Sequence, residues 1–230
     1  FQHPEKTLAT MPGVGPAVAA ALFELTEAQY AQWQETFRGR VAEAAEELLQ
    51  DAQFARAVAA LPFESGQTVV GLGDSITDYS ESWFEILRVC LERVAPERRL
   101  QLLNMGISGD TTANAISRFL GAVTAEPDWI LCMIGTNDCR LHGQRPIKTL
   151  VSPEETAKNL EMLVEFARAQ TKAGWVWMTP AWVNETMIEA HPFLGQQWQL
   201  AWRNDDLRAV GDLIRQRPEP VIDLQEAFGA

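Results

Sequence analysis

Apolar positions along the chain follow two different periods. From Thr26 onward, Tyr30, Trp33, Phe37, Val41, Ala44 and Leu48 recur at steps of three or four, the spacing that lines one face of a helix. Thr26 and Gln29 form a capping-box pair at its start. Phe54, Val58 and Leu61 continue the stripe, and Pro62 stops it, because proline lacks an N–H and clashes with the preceding turn. The stripe is read as a core-packing face. After the Ser65-Gly66 turn the period changes. Short apolar runs predict strands at 68–72, 100–104, 129–134, 175–178 and 221–224. Between them lie predicted helices at 83–94, 112–121 and 198–215, and one opened by Ser152, Pro153 and Glu155, in which Leu160, Leu163, Val164 and Ala167 share a face.

Strands alternating with helices of this length imply right-handed crossovers and a parallel sheet covered on both faces. The expected fold is three-layer α/β/α with five strands. Residues 1–65 read as a helical N-terminal extension and residues 66–230 as the main domain. In such sheets ligands and chemistry sit in the loops at the carboxyl ends of the strands.

Composition narrows the partners. Acidic residues outnumber basic ones by 31 to 19, a formal charge of −12, which repels phosphate backbones and anionic lipid surfaces. Nucleic acid is not an expected partner. Val14–Phe23 is interrupted by Gly15 and Pro16 and is far shorter than the roughly 20 residues of a membrane span. Cys90, Cys132 and Cys139 have no Cys-x-x-Cys spacing, so neither a disulfide framework nor a metal site is expected. A cytoplasmic location is the corresponding expectation, with the start at Phe1 leaving room for a removed signal. No cofactor is expected, and nothing in the sequence defines the oligomeric state.

Three of the strand-end loops carry candidate chemistry. Gly71-Leu72-Gly73-Asp74-Ser75-Ile76-Thr77 puts a serine between glycines and a helix, either as an exposed nucleophile or as a plain N-cap. Asn104-Met105-Gly106-Ile107-Ser108-Gly109-Asp110 follows the second strand, and Gly135-Thr136-Asn137-Asp138 follows the third. Together they supply a hydroxyl, an unobstructed glycine N–H and an amide with two donors. Those are the parts needed to attack an acyl carbon and hold the resulting oxyanion. Asp74 and Asp138 are read as loop-stabilising, with paired acid/base work as the alternative.

In these blocks the sequence resembles the SGNH hydrolases, also called GDSL esterases and lipases. The resemblance rests on Gly73-Asp74-Ser75-Ile76, on Gly106 within Asn104-x-Gly106-x-x-Gly109, and on Gly135-Thr136-Asn137-Asp138. It implies a flavodoxin-like sheet and Ser75 as nucleophile, with an oxyanion hole from the N–H groups of Ser75 and Gly106 and the Asn137 side chain. The implied activity is hydrolysis of carboxylic esters of small or medium acyl groups through an acyl-enzyme. Acyl transfer and thioester cleavage use the same parts, and a binding module without a base and a flavin or nucleotide binder are the readings from other classes.

The family's general base, the His of an Asp-x-x-His pair, has no match. Asp223 is followed by Glu226 where that pattern would put the histidine. Either the polypeptide continues past Ala230 or the site has lost its base; continuation is the expectation, since a last helix would cover apolar sheet surface. His191 is read as a substrate-side residue rather than the base, His142 as a loop residue, and His3 lacks a preceding aspartate. Trp175 and Trp177 share a strand face and are expected in the core. Trp182, just beyond Pro180, is a candidate apolar wall for the substrate.

Overall fold

The structure is a computed structural model and describes residue 6 and residues 15–229. In chain order the helices and strands are α1 (Pro16–Ala21), α2 (Glu27–Leu49), α3 (Ala52–Ala59), β1 (Thr68–Gly73), α4 (Ser75–Asp78), α5 (Trp83–Val94), β2 (Gln101–Gly106), α6 (Thr112–Ser117), α7 (Phe119–Thr124) and β3 (Trp129–Met133). There follow β4 (Leu141–His142), α8 (Pro153–Gln170), β5 (Gly174–Met178), α9 (Glu185–Ala190), β6 (Leu200–Ala201), α10 (Asn204–Arg215), β7 (Val221–Ile222) and α11 (Leu224–Ala227). The main sheet has five strands in the order β2-β1-β3-β5-β7. β1, β3, β5 and β7 run parallel, with Val69 beside Trp129, Trp129 beside Gly174, and Trp177 beside Val221. This is the α/β architecture the alternating periods predict.

The described residues form two compact units, one of those up to Thr68 together with 75–108, the other of 69–74 with 109–229. In the first, Thr26 accepts from the Gln29 N–H and Gln29 reaches back to the Thr26 N–H, the expected capping box at the head of α2. Tyr30, Phe37, Val41 and Ala45 are buried, whereas Leu48 is exposed. The predicted stripe therefore leaves the core one turn early. Asp51 explains the break: its carboxylate caps α3 through the Gln53 and Phe54 N–H groups, so one helical pattern becomes two helices. Arg98 closes the far end of α3 by donating to the carbonyls of Ala59 and Leu61.

In the second unit, Trp175 and Trp177 are both buried, with ring centroids 4.8 Å apart in edge-to-face contact. Leu160, Leu163, Val164 and Ala167 line the buried face of α8 as expected. Two predicted helices need correction. The run 112–121 is α6 and α7, separated by Arg118 at φ −109°. The run 198–215 is helical only from Asn204. Its first residues instead form β6, which pairs antiparallel with β4, Leu141 beside Ala201. Apolar spacing through Trp198 and Trp202 imitates a helical turn; strand pairing wins because the ribbon buries Leu141 and Leu200.

Candidate active site

Each block can be followed from its backbone. Ser75 directly follows β1 and Asp74, opens the four-residue helix α4 and is exposed, while Asp74 is buried. Ser75 Oγ makes no hydrogen bond to another described residue. At the other end of α4, buried Asp78 accepts from the Ser108 N–H at 3.2 Å and the Ser108 hydroxyl at 2.8 Å. Lys6 Nζ pairs with the same carboxylate at 2.8 Å. The first block is thus tied to the loop after β2 within one unit.

Asn104 organises that loop. Its Nδ2 donates to the Thr77 carbonyl at 2.7 Å and to Glu85 Oε1 at 2.9 Å. Its Oδ1 accepts from Lys6 Nζ at 2.9 Å and from the Gly106 N–H at 3.0 Å. The Gly106 N–H, named from the sequence as an oxyanion donor, is therefore buried and already committed. Gly109 differs. It is partly exposed, lies at φ +88°, and its N–H donates to no described residue. The sequence reading quoted Gly109 only as setting. The signal that could have singled it out is the need for a left-handed residue just before Asp110.

Gly109, Asp110 and the third block belong to the same unit. Asn137 is 5% exposed, and its Nδ2 donates to the Asp110 carbonyl at 3.0 Å. Its Oδ1 accepts from Arg140 Nη1 at 3.3 Å. Both ends of the amide are fixed, and one Nδ2 proton remains to be given. Gly135 precedes it at φ +112°, where a Cβ would meet Val210 Cγ1 at 2.8 Å. Only glycine fits that turn.

Asp138 is buried and accepts from the Thr112 N–H, the Thr112 hydroxyl and the Thr156 hydroxyl. Burial pushes its carboxyl up, and these hydrogen bonds oppose the shift. Its carboxylate thus ties the third block to α6 and α8, a loop-stabilising arrangement.

The remaining candidates have local partners. Trp182 donates its indole N–H to the Gln225 carbonyl at 3.0 Å, and Arg208 covers its ring at 5.6 Å. His191 Nδ1 accepts from the Phe193 and Leu194 N–H groups, capping the π-helical turn Pro192–Gln197. His142 Nε2 accepts from Arg140 Nε at 3.1 Å. Asp223 caps α11 and pairs with Arg215, which holds its carboxyl down to about 2. His3 lies outside the described residues. The three cysteines are buried free thiols, and burial beside Asp138 and Asp206 pushes Cys139 up to about 12. A protonated buried thiol is no nucleophile.

Parallel sheet and strand-end blocks together define an α/β chain with an exposed serine at the end of β1 and a fixed asparagine amide after β3. Comparison makes this specific. Residues 72–230 match the GDSL-like Lipase/Acylhydrolase family, and the chain belongs to that family of ester hydrolases. It is 32% identical over 181 residues to an acetylxylan esterase of Geobacillus stearothermophilus, covering 71% of this chain and 78% of the relative. The solved structure of Axe2, an acetylxylan esterase from the same organism, superposes with a TM-score of 0.53 at 25% identity, covering 73% of this chain and 80% of Axe2. LAE5, an α/β hydrolase enzyme from the Lake Arreo metagenome, gives 0.50 at 28% identity, covering 73% and 76%. Axe2 variants altered at a serine, an aspartate and a histidine are described as catalytic mutants of that protein.

Proposed function

We propose that the chain hydrolyses carboxylic esters of small or medium acyl groups through an acyl-enzyme on Ser75. The Ser75 hydroxyl gives its proton to the general base and attacks the acyl carbon, the oxyanion collapses to expel the alcohol, which takes that proton, and water then cleaves the acyl-enzyme to release the acid and restore Ser75. Donors to the oxyanion are the Ser75 N–H, the free Nδ2 proton of Asn137 and, in place of Gly106, the Gly109 N–H. The carrying observation is the fixed Asn137 amide, bonded through the Asp110 carbonyl to the residue that follows Gly109 and its unspent N–H. Preorganised donors of this kind need no reorientation as charge develops. His142 and His191 already use a ring nitrogen as acceptor, so the general base in this reading is a histidine outside the described residues. The acetylxylan relative makes an acetyl ester on a sugar the first natural substrate to try.

Hydrolysis of p-nitrophenyl acetate tests the reading. Ser75→Ala should abolish turnover, and Asn137→Ala should lower kcat by ~10²–10³-fold, the usual cost of one oxyanion donor. Equal rates for Asn137→Ala and the parent chain would remove Asn137 from the mechanism.

A further inference from the structure

Ser75 stands at the head of α4, a helix of four residues closed by the Tyr79 N–H on the Ser75 carbonyl at 3.0 Å. A single turn of helix is not stable by itself in water. The direction in which it points the Ser75 hydroxyl and N–H is therefore set by what grips its far end. The Trp83 indole donates to the Thr77 hydroxyl at 3.2 Å, Asn104 Nδ2 donates to the Thr77 carbonyl at 2.7 Å, and Asp78 Oδ2 accepts from the Ser108 N–H and hydroxyl.

One cation joins two of these grips. Lys6 Nζ donates at 2.8 Å to Asp78 Oδ1, at 2.9 Å to Asn104 Oδ1 and at 3.1 Å to the Gly106 carbonyl. An ammonium group has three protons to give, and acceptors on α4 and β2 take all of them. The Lys6 and Asp78 side chains are only 21% and 4% exposed, so the bonds between them are charge-assisted and largely out of water. Removing either partner would leave the charge of the other unpaired. The Asn104 oxygen that Lys6 holds is also the one that captures the Gly106 N–H. With that oxygen fixed, the amide nitrogen must face Thr77 and Glu85.

Lys6 lies ahead of residues 72–230, the stretch that matches the family. The N-terminal extension, to which the proposed chemistry gives no part, thus sends a side chain to the turn that carries the nucleophile. An exposed ion pair would be worth little there. A buried one that also fixes an amide and a backbone carbonyl sets geometry, and a displacement of about 1 Å at a nucleophile can cost ~10²-fold in rate.

We infer that Lys6 is a positioning residue, which locks the loop after β2 to the turn of Ser75 and so aims the nucleophile and its N–H. Its effect on catalysis rests on the esterase reading; its effect on the turn rests on the hydrogen bonds alone. Lys6→Met should lower kcat for p-nitrophenyl acetate by about tenfold or more with KM little changed. In Lys6→Gly, ethylammonium chloride should restore kcat saturably where sodium chloride at the same concentration does not, because the small cation refills the place of Nζ. A lysine that served stability alone would shift the urea midpoint and leave the kcat of the folded chain unchanged. Should Lys6→Met fold poorly by circular dichroism, Lys6→Met/Asp78→Asn repeats the measurement without an unpaired buried carboxylate. Amide exchange reads the turn apart from turnover: the Tyr79 and Ser108 N–H groups should exchange about tenfold faster in Lys6→Met. Parental kcat in the folded variant, or no recovery with ethylammonium beyond that with salt, overturns the assignment. A parent chain that turns over no ester overturns the esterase reading instead. The exchange rates then decide on Lys6, faster rates at both amides upholding its hold on the turn and parental rates overturning it.

Discussion

At the scale of single residues, the site depends on groups whose hydrogen bonds are already allocated. Asn137 shows this best. Arg140 donates to its Oδ1, which in the proposed mechanism keeps the amide from flipping and presenting an oxygen to the developing anion. Arg140→Met should therefore lower kcat for p-nitrophenyl acetate by about tenfold or more with KM little changed, and should add nothing in an Asn137→Ala background. Additive losses would show that Arg140 acts elsewhere. Asp223 makes a prediction about pH. Its folded pKa of about 2 lies below the ordinary 3.8 because Arg215 donates to it. The stability it contributes is fully present above pH 3.8 and is lost as pH falls toward 2. Arg215→Met should return the Asp223 titration, followed by carboxylate NMR, toward 3.8; an unmoved midpoint would assign the shift to its Thr179 and helix-cap partners.

Among the elements, the turns explain which parts of the fold were legible. The strands at β1, β3 and β5, the capping box of α2 and the buried face of α8 follow from local pattern, and the structure has them within a residue or two. The split at Asp51, the split at Arg118 and the β4/β6 ribbon depend on side-chain caps and on pairing between segments far apart in sequence. Periodicity carries no information about such pairing. The same limit bears on Gly106 and Gly109: which of two glycines three residues apart keeps an N–H for the proposed oxyanion turns on which one Asn104 captures. Gly135 can be tested as an element-level device: Gly135→Ala combines φ +112° with a 2.8 Å approach to Val210 on α10. A loss of roughly 2 kcal/mol or more is expected in urea unfolding, and Val210→Ala should recover part of it. A Gly135→Ala chain as stable as the parent would mean that the turn relaxes freely.

For the molecule as a whole, the choice between catalyst and binding module turns on whether Ser75 reacts. Family membership, sheet order and motif order favour the catalyst, yet a fold can keep its pocket after losing its chemistry. A serine-directed fluorophosphonate separates the two. Its phosphoryl oxygen occupies the place of the oxyanion, so labelling draws on the same donors as ester attack. Competing nucleophiles are weak in this chain. Cys90, Cys132 and Cys139 are buried, and burial raises all three thiols, while the Ser108 hydroxyl is donated to Asp78. Intact-mass analysis of the folded protein should show one adduct, mapped by peptide sequencing to Ser75, absent in Ser75→Ala and slowed in Asn137→Ala. Stoichiometric labelling that survives in Ser75→Ala would move the nucleophile elsewhere. A folded chain that takes no label would make this a binding module.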